Sequence, residues 1–237
     1  MKIITWNCAG AFRNKTEEIL QLSPDVLIIQ ECEELEKIDC SMWTAKPSSV
    51  FRYGRKDKGI GVFAFSDFKI EKFDWHNEKF EYVVPLNISR ENLSLNVFAT
   101  WTKRTFDDCY TRQIFDAMKY YDEFFPEILS KNSIIIGDFN SSSIWDKKNR
   151  DCNHSNLVEY LKFRKIESAY HKFFNEEQGK ETYPTLYHQK KELQQYHIDY
   201  CFSSTSLLDK MSKIEVGKYE DFISKSDHMP LIVEFEI

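Results

Sequence analysis

Glycine and proline are scarce in this chain: 7 and 6 of its 237 residues, about half the ordinary share. That excludes collagen-like, low-complexity and disordered classes. No window approaches the ~18 consecutive apolar residues of a membrane-spanning helix, so no membrane partner is expected. A basic excess is missing too. Lys and Arg number 32 against 38 Asp and Glu, for a net charge of −6. A strongly basic nucleic-acid-binding footprint is thereby excluded, although an acidic protein can still act on phosphates through a metal. The six cysteines form no CxxC and no Cys/His metal spacing. Cys8, Cys32 and Cys201 sit inside apolar strand-like runs, and all six read as small core or surface residues. The first residues run directly into a strand-like segment, without the basic and apolar regions of a leader. The expectation is a reduced, cytoplasmic chain.

Aromatic residues are abundant instead, with 19 Phe, 12 Tyr and 5 Trp. Apolar periodicity alternates between two modes. Ile3 to Trp6 and Asp25 to Gln30 read as buried strands, separated by a short amphipathic helix from Thr16 to Leu22, opened by Asn14 and stopped by Pro24. Further strands are expected around Ser49 to Tyr53, Gly59 to Phe65, Phe80 to Ile88 and Leu93 to Trp101, with Arg90-Glu91-Asn92 as a hairpin turn. Helical spacing runs from Arg112 to Leu129 and again near Ser155 to Arg164. Ser133 to Ile136 is a buried strand. A polar loop from Asn175 to Gln195 precedes the strand Tyr196 to Phe202, and Leu231 to Ile237 closes the chain. No linker, repeat or composition break appears, so residues 1–237 are expected to form a single α/β domain.

Five segments end buried strands with a carboxylate, amide or imidazole: Trp6-Asn7, Gln30-Glu31, Gly137 to Asn140, His197 to Tyr200, and Ser226-Asp227-His228. Strand ends are where side chains leave the core for a crevice. Singly, each has a dull explanation, such as an Asx-turn at Asp138 or a turn cap at Asn7. Together they carry a cost. Two carboxylates ~5 Å apart repel by ~3 kcal/mol at an effective dielectric of 20, so gathering several requires a cation or shared protons. Carboxylate and amide oxygens without thiolates point to a hard cation, Mg²⁺ or Mn²⁺ rather than Zn²⁺.

At these residues the sequence resembles the endonuclease/exonuclease/phosphatase superfamily. The matching segments are ITWNCAG, LIIQECE, IIIGDFNSS, HIDYCF and SDHMPL, in the family's order, with GIGVFAF from Gly59 as an inner strand. The resemblance implies a four-layered α/β sandwich, two facing β-sheets with helices outside. It implies Glu31 as principal metal carboxylate, Asn7 beside it, and Asp227 as a second metal-side carboxylate or a water orienter. Asp138 would orient or deprotonate the attacking water, and Asn140 would hold a phosphate oxygen or Asp138 itself. His228 would donate to a non-bridging phosphate oxygen, with Asp199 fixing its tautomer and favouring the imidazolium.

Two departures stand out. Relatives place a His or Tyr where this chain has Trp101, and an indole can donate a hydrogen bond but cannot act as general acid or base. Leaving-group assistance then falls to His228 or to solvent held by the metal. Trp101 is open to two readings, a platform stacking on a base or sugar and an indole packed in the core. After Asn7 the chain reads Cys8-Ala9-Gly10, so an acidic residue that some repair nucleases carry two places on is missing. Arg13, Lys103, Arg104 and Arg112 are candidate phosphate clamps with a solvated-surface alternative. Tyr183, His188, Lys190 and Lys191 lie in a loop that could reach over the site. The implied activity is a metal-dependent phosphodiesterase of nucleic acid, endonuclease or exonuclease, with DNA ranked before RNA and no obligate protein partner. Hydrolysis of a small or lipid-linked phosphoester is the alternative within enzymes. A catalytically silent interaction module is the alternative from another class.

Overall fold

A computed structural model describes residues 1–104 and 109–237. Its strands are β1 (Lys2–Asn7), β2 (Val26–Cys32), β3 (Ser49–Gly54), β4 (Gly59–Ala64), β5 (Lys69–Lys72), β6 (Val83–Arg90), β7 (Leu93–Trp101), β8 (Ser133–Asp138), β9 (Ile166–Ser168), β10 (Leu186–Tyr187), β11 (Gln195–Tyr196), β12 (Asp199–Ser204), β13 (Met211–Val216) and β14 (Leu231–Phe235). Two six-stranded sheets result, ordered β13-β14-β1-β2-β4-β3 and β5-β6-β7-β8-β12-β9, with β10 and β11 as a separate ribbon. Each large sheet is antiparallel except for one central parallel pair, β1 with β2 and β7 with β8.

Strand alternation explains the layers. Odd-numbered Ile3 and even-numbered Val26 and Ile28 meet Val97, Ala99, Ile134, Ile136 and Cys201 in one core between the sheets. Their neighbours Ile4, Trp6, Leu27 and Ile29 face outward and pack with Phe12, Trp43 and Phe222. On the other side, Phe98, Ile135 and Phe202 pack against Ile114, Met118 and Tyr121 of the helix Thr111–Phe124 and against Leu157 and Leu161 of the helix His154–Phe163. A period of two thus sorts each strand's side chains between an inter-sheet core and a helix layer. This is the expected four-layered α/β sandwich.

The local differences from expectation have identifiable causes. The helix expected over Arg112 to Leu129 divides into Thr111–Phe124 and Glu127–Ser130, because Pro126 removes a backbone donor at the junction. The first helix ends at Leu20. Strands β5, β9 and β13 were not legible as strands. They are short or exposed and lie at or beside sheet edges, so their apolar alternation is weak. Cys109 and Cys152 form a disulfide, which corrects the reading of all six cysteines as reduced. Their separation of 43 residues carries no pairing signal, since only the fold brings the segments after β7 and β8 together. Cys8, Cys32 and Cys201 are buried free thiols, as expected.

Candidate active site

The site is the polar end of the inter-sheet core. On β1 the inward positions run Ile3, Thr5, Asn7; on β8 they run Ile134, Ile136, Asp138. The last inward residues of the two strands therefore face each other across the sheets. Asn7 Nδ2 donates to Asp138 Oδ2 at 2.9 Å. Asn140 adds two more bonds, its backbone N–H to Oδ1 at 2.8 Å and its Nδ2 to Oδ2 at 2.9 Å. Asn140 Nδ2 also donates to the Thr102 carbonyl, which ties the segment after β8 to the end of β7. Asp138 is fully buried. Burial, then the neighbouring Asp199 charge, push its carboxyl up to about 7, against the opposing pull of His228, Asn7 and the Asn140 N–H.

Close approach at this point requires Gly137. A Cβ there would stand 1.9 Å from the Thr100 carbonyl oxygen and 3.0 Å from Gln30 Nε2, and its φ of +143° is one that other residues rarely adopt. The glycine lets β7, β8 and the facing sheet converge immediately before the catalytic candidate Asp138.

Asp199 starts β12 opposite Asp138 in register. Its Oδ2 accepts from His228 Nδ1 at 2.9 Å. Burial alone works against an imidazolium, but the charge and hydrogen bond of Asp199, with Asp138 and Asp227 behind them, raise His228 to about 10. The ring is therefore held protonated. Two small hydroxyls that sequence analysis did not single out place this pair. Thr185 Oγ1 accepts from the backbone N–H groups of Ile198 and Asp199, and Met229 N–H donates to the Thr185 carbonyl. Ser226 Oγ donates to the Asn7 carbonyl and accepts from the His228 N–H, while Trp6 Nε1 donates to the His228 carbonyl. Thr185 lies outside every segment singled out and carries no distinguishing pattern, while Ser226 stands within SDHMPL but was given no role beside Asp227 and His228.

Ligand atoms of Asp138, Asp199 and His228 lie within 4.8 Å of one another. A cation bound by all three would have to displace the proton that Asp199 stabilises on the ring. Asp199 Oδ1 is buried and has no hydrogen-bond partner among the described residues, so the pocket retains an unused acceptor. Glu31 is a different carboxylate. It is the extra residue of a β-bulge, between Gln30 paired with Ile60 and Cys32 paired with Gly59. Its φ is +60°, which redirects a side chain that regular alternation would have sent to the helix face. Its partner is Lys58 Nζ at 2.5 Å. Asp227 is half-buried beside His228, and its carbonyl accepts from the Tyr187 N–H.

The substrate candidates fare unevenly. Trp101 continues the inward series Val97, Ala99 and is only 6% exposed within the inter-sheet core. The packed reading prevails for most of the ring. Its remaining edge borders a small cleft with Tyr53, Lys58, Tyr82 and Lys103, and Lys103 Nζ lies 4.0 Å from the ring centroid. Arg13 is engaged with the buried Glu33 at 3.0 Å, and the same carboxylate accepts from the Phe12 and Arg13 N–H groups. It braces the turn after β1 rather than standing as a free clamp. Arg112 forms a two-point pair with Asp151 beside the disulfide. His76, His154 and His171 are held in ordinary hydrogen bonds with Tyr121, Ser141 and Glu181.

The Endonuclease/Exonuclease/phosphatase family model matches residues 4–228. The chain belongs to that family and is a hydrolase of phosphoester bonds. No curated protein matches its sequence significantly. Among solved structures, it is similar to a 3'-5' exonuclease (NExo) from Neisseria meningitidis, with TM-score 0.74, 17% identity and full coverage of both chains. It is similar to an AP endonuclease from Archaeoglobus fulgidus, with TM-score 0.66, 16% identity and full coverage of both. It is also similar to truncated TDP2 from Caenorhabditis elegans, with TM-score 0.67, 18% identity, and 99% and 96% of the two chains covered. At such identities the likeness is one of fold.

Proposed function

We propose that this chain is a divalent-metal-dependent phosphodiesterase acting on nucleic acid, with DNA as the preferred substrate. The observation that carries the reading is the convergence, at one end of the inter-sheet core, of Asp138 hydrogen-bonded to Asn7 and Asn140 with the hydrogen-bonded pair Asp199 and His228, ligand atoms of Asp138, Asp199 and His228 lying within 4.8 Å of one another. The likeness to solved structures whose names describe an AP endonuclease and a 3' phosphatase bound to a product DNA hairpin supports the choice of substrate.

Hard oxygen donors suit Mg²⁺ or Mn²⁺, and the partly exposed Glu31 carboxylate, whose partner among the described residues is an ammonium, fits such a group. Glu31, with Asn7 and Asp227, would hold the cation, which when bound offsets negative charge on the phosphate. Asp138, fixed by three amide donors, orients the attacking water and takes its proton. Asn140 keeps that carboxylate in line. His228 has Nδ1 committed to Asp199, so Nε2–H is the ring's donor toward a non-bridging phosphate oxygen, where charge grows in the transition state. Trp101 supplies no proton.

A panel of supercoiled plasmid, single-stranded DNA, abasic-site duplex, RNA and bis-p-nitrophenyl phosphate, each with Mg²⁺ or Mn²⁺, tests the reading. Cleavage of a nucleic acid that EDTA abolishes and Mg²⁺ or Mn²⁺ restores better than Zn²⁺ is expected. Turnover of the small ester alone would shift the substrate to small phosphoesters. Full activity after chelation would overturn the metal assignment.

A further inference from the structure

Residues 55–58 form the turn between β3, which ends at Gly54, and β4, which begins at Gly59. The bulge of β2 falls opposite the start of β4, since Cys32 pairs with Gly59. Register therefore sets Lys58 beside Glu31, and the ammonium contacts the carboxylate at 2.5 Å. Among the described residues Lys58 is the only hydrogen-bond or ion-pair partner of the Glu31 side chain. Two other cations line the small cleft that Lys58 borders, but they have other partners. Lys103 lies over the Trp101 ring, and Arg55 faces Glu81 at 3.9 Å. The Lys58 side chain is 45% exposed on an exposed turn, so it can swing away without disturbing the core.

We infer that Lys58 is a resident surrogate cation for Glu31: its ammonium neutralises the bulged carboxylate when no metal is bound and must be displaced for a metal to enter, so it sets metal affinity. This rests on Glu31 being the metal carboxylate. A dication and an ammonium cannot both contact one carboxylate without strong mutual repulsion, so each metal bound costs the protein this ion pair. The pair also fixes the direction of a carboxylate in a left-handed bulge before the metal arrives. The turn lysine becomes a determinant of how much free metal the enzyme needs.

The test is Mn²⁺ titrated without substrate into metal-free wild type and into Lys58→Met, Lys58→Arg, Lys103→Met and Glu31→Gln. Binding is followed by calorimetry and by loss of the free-ion electron-spin resonance signal, with folding checked by circular dichroism. Lys58→Met should bind Mn²⁺ about three- to fivefold more tightly, the upper part of the range for a partly exposed ion pair, and the gain should shrink as NaCl rises. Lys58→Arg should bind no more tightly than wild type, and Lys103→Met should stay within about twofold of it. Unchanged or weaker binding by Lys58→Met overturns the inference. An equal gain in Lys103→Met does so too, because it would assign the effect to the general field of the cleft. Wild-type affinity in Glu31→Gln would instead refute the ligand assignment made under the proposed function, which separates the two failures.

Discussion

Asp138 and Glu31 occupy comparable places in the two sheets, each near the C-terminal end of a strand in the central parallel pair. Their surroundings differ. Asp138 is fully buried and locked by three amide donors, whereas Glu31 sits on a bulge and pairs with one lysine of an exposed turn. A buried carboxylate in a fixed donor cage suits a proton-transfer role, because its orientation and raised pKa are set by the protein itself. A redirected, partly exposed carboxylate suits a ligand that comes and goes. In the proposed reading, one sheet supplies preorganisation and the other exchange.

The comparison can be broken most sharply on the buried side. His228→Ala should lower kcat by about three orders of magnitude or more, since it removes a contact made to the transition state, while Mn²⁺ affinity measured by calorimetry changes little. Asp199→Asn should also lose most activity by mis-setting the ring. If either variant lost metal binding in step with activity, the division between the two sheets would fall.

Next come the packing devices under Asp138. Trp101→Ala should cost about 3–5 kcal/mol of stability in urea unfolding, the range for a buried aromatic. A variant of native stability with only a raised KM would restore the platform reading. Gly137→Ala should destabilise by about 3 kcal/mol or more, because the added Cβ meets the Thr100 backbone oxygen. On the exchangeable side, Glu31→Gln should weaken Mn²⁺ binding while leaving the melting temperature within a few degrees, because volume is kept and only the charge is lost.

The smallest expected effect concerns acid stability. Burial lowers His154 from 6.5 to about 4 and His76 likewise. The unfolded chain then binds protons below about pH 6.5 that the folded chain refuses until about pH 4. Their contribution is complete above pH 6.5 and is lost as pH falls through that window. His154→Gln should therefore show a shallower drop in unfolding free energy between pH 7 and pH 5 than wild type. An unchanged slope would mean that the ring is accessible to protons in the folded state.

Much of the site was legible because its residues end strands whose alternation is set locally. Once Ile3 and Ile134 face the inter-sheet core, a period of two carries Asn7 and Asp138 to the same interface, and the GDFN and SDH segments mark where polar groups must be satisfied together. The pairing of His228 with Asp199 was likewise expected and is present at 2.9 Å. Other features depend on contacts between distant segments, for which local pattern has no signal. The disulfide between Cys109 and Cys152 is one. Another is the engagement of Arg13 with Glu33, a pair in which charge alone cannot separate a phosphate clamp from a brace.

What the sequence determined by itself is therefore the layered sandwich and the identity of the converging groups, because hydrophobic period and strand-end chemistry are local properties of the chain. Tertiary structure alone decided which carboxylate is caged and which is held by a single exposed lysine. That outcome depends on a bulge that turns Glu31 against its alternation and a hairpin register that sets Lys58 beside it. It depends also on sheet-to-sheet contacts that bury Asp138 with its donors. Desolvation and hydrogen-bond geometry arise only when segments far apart in the chain share one volume.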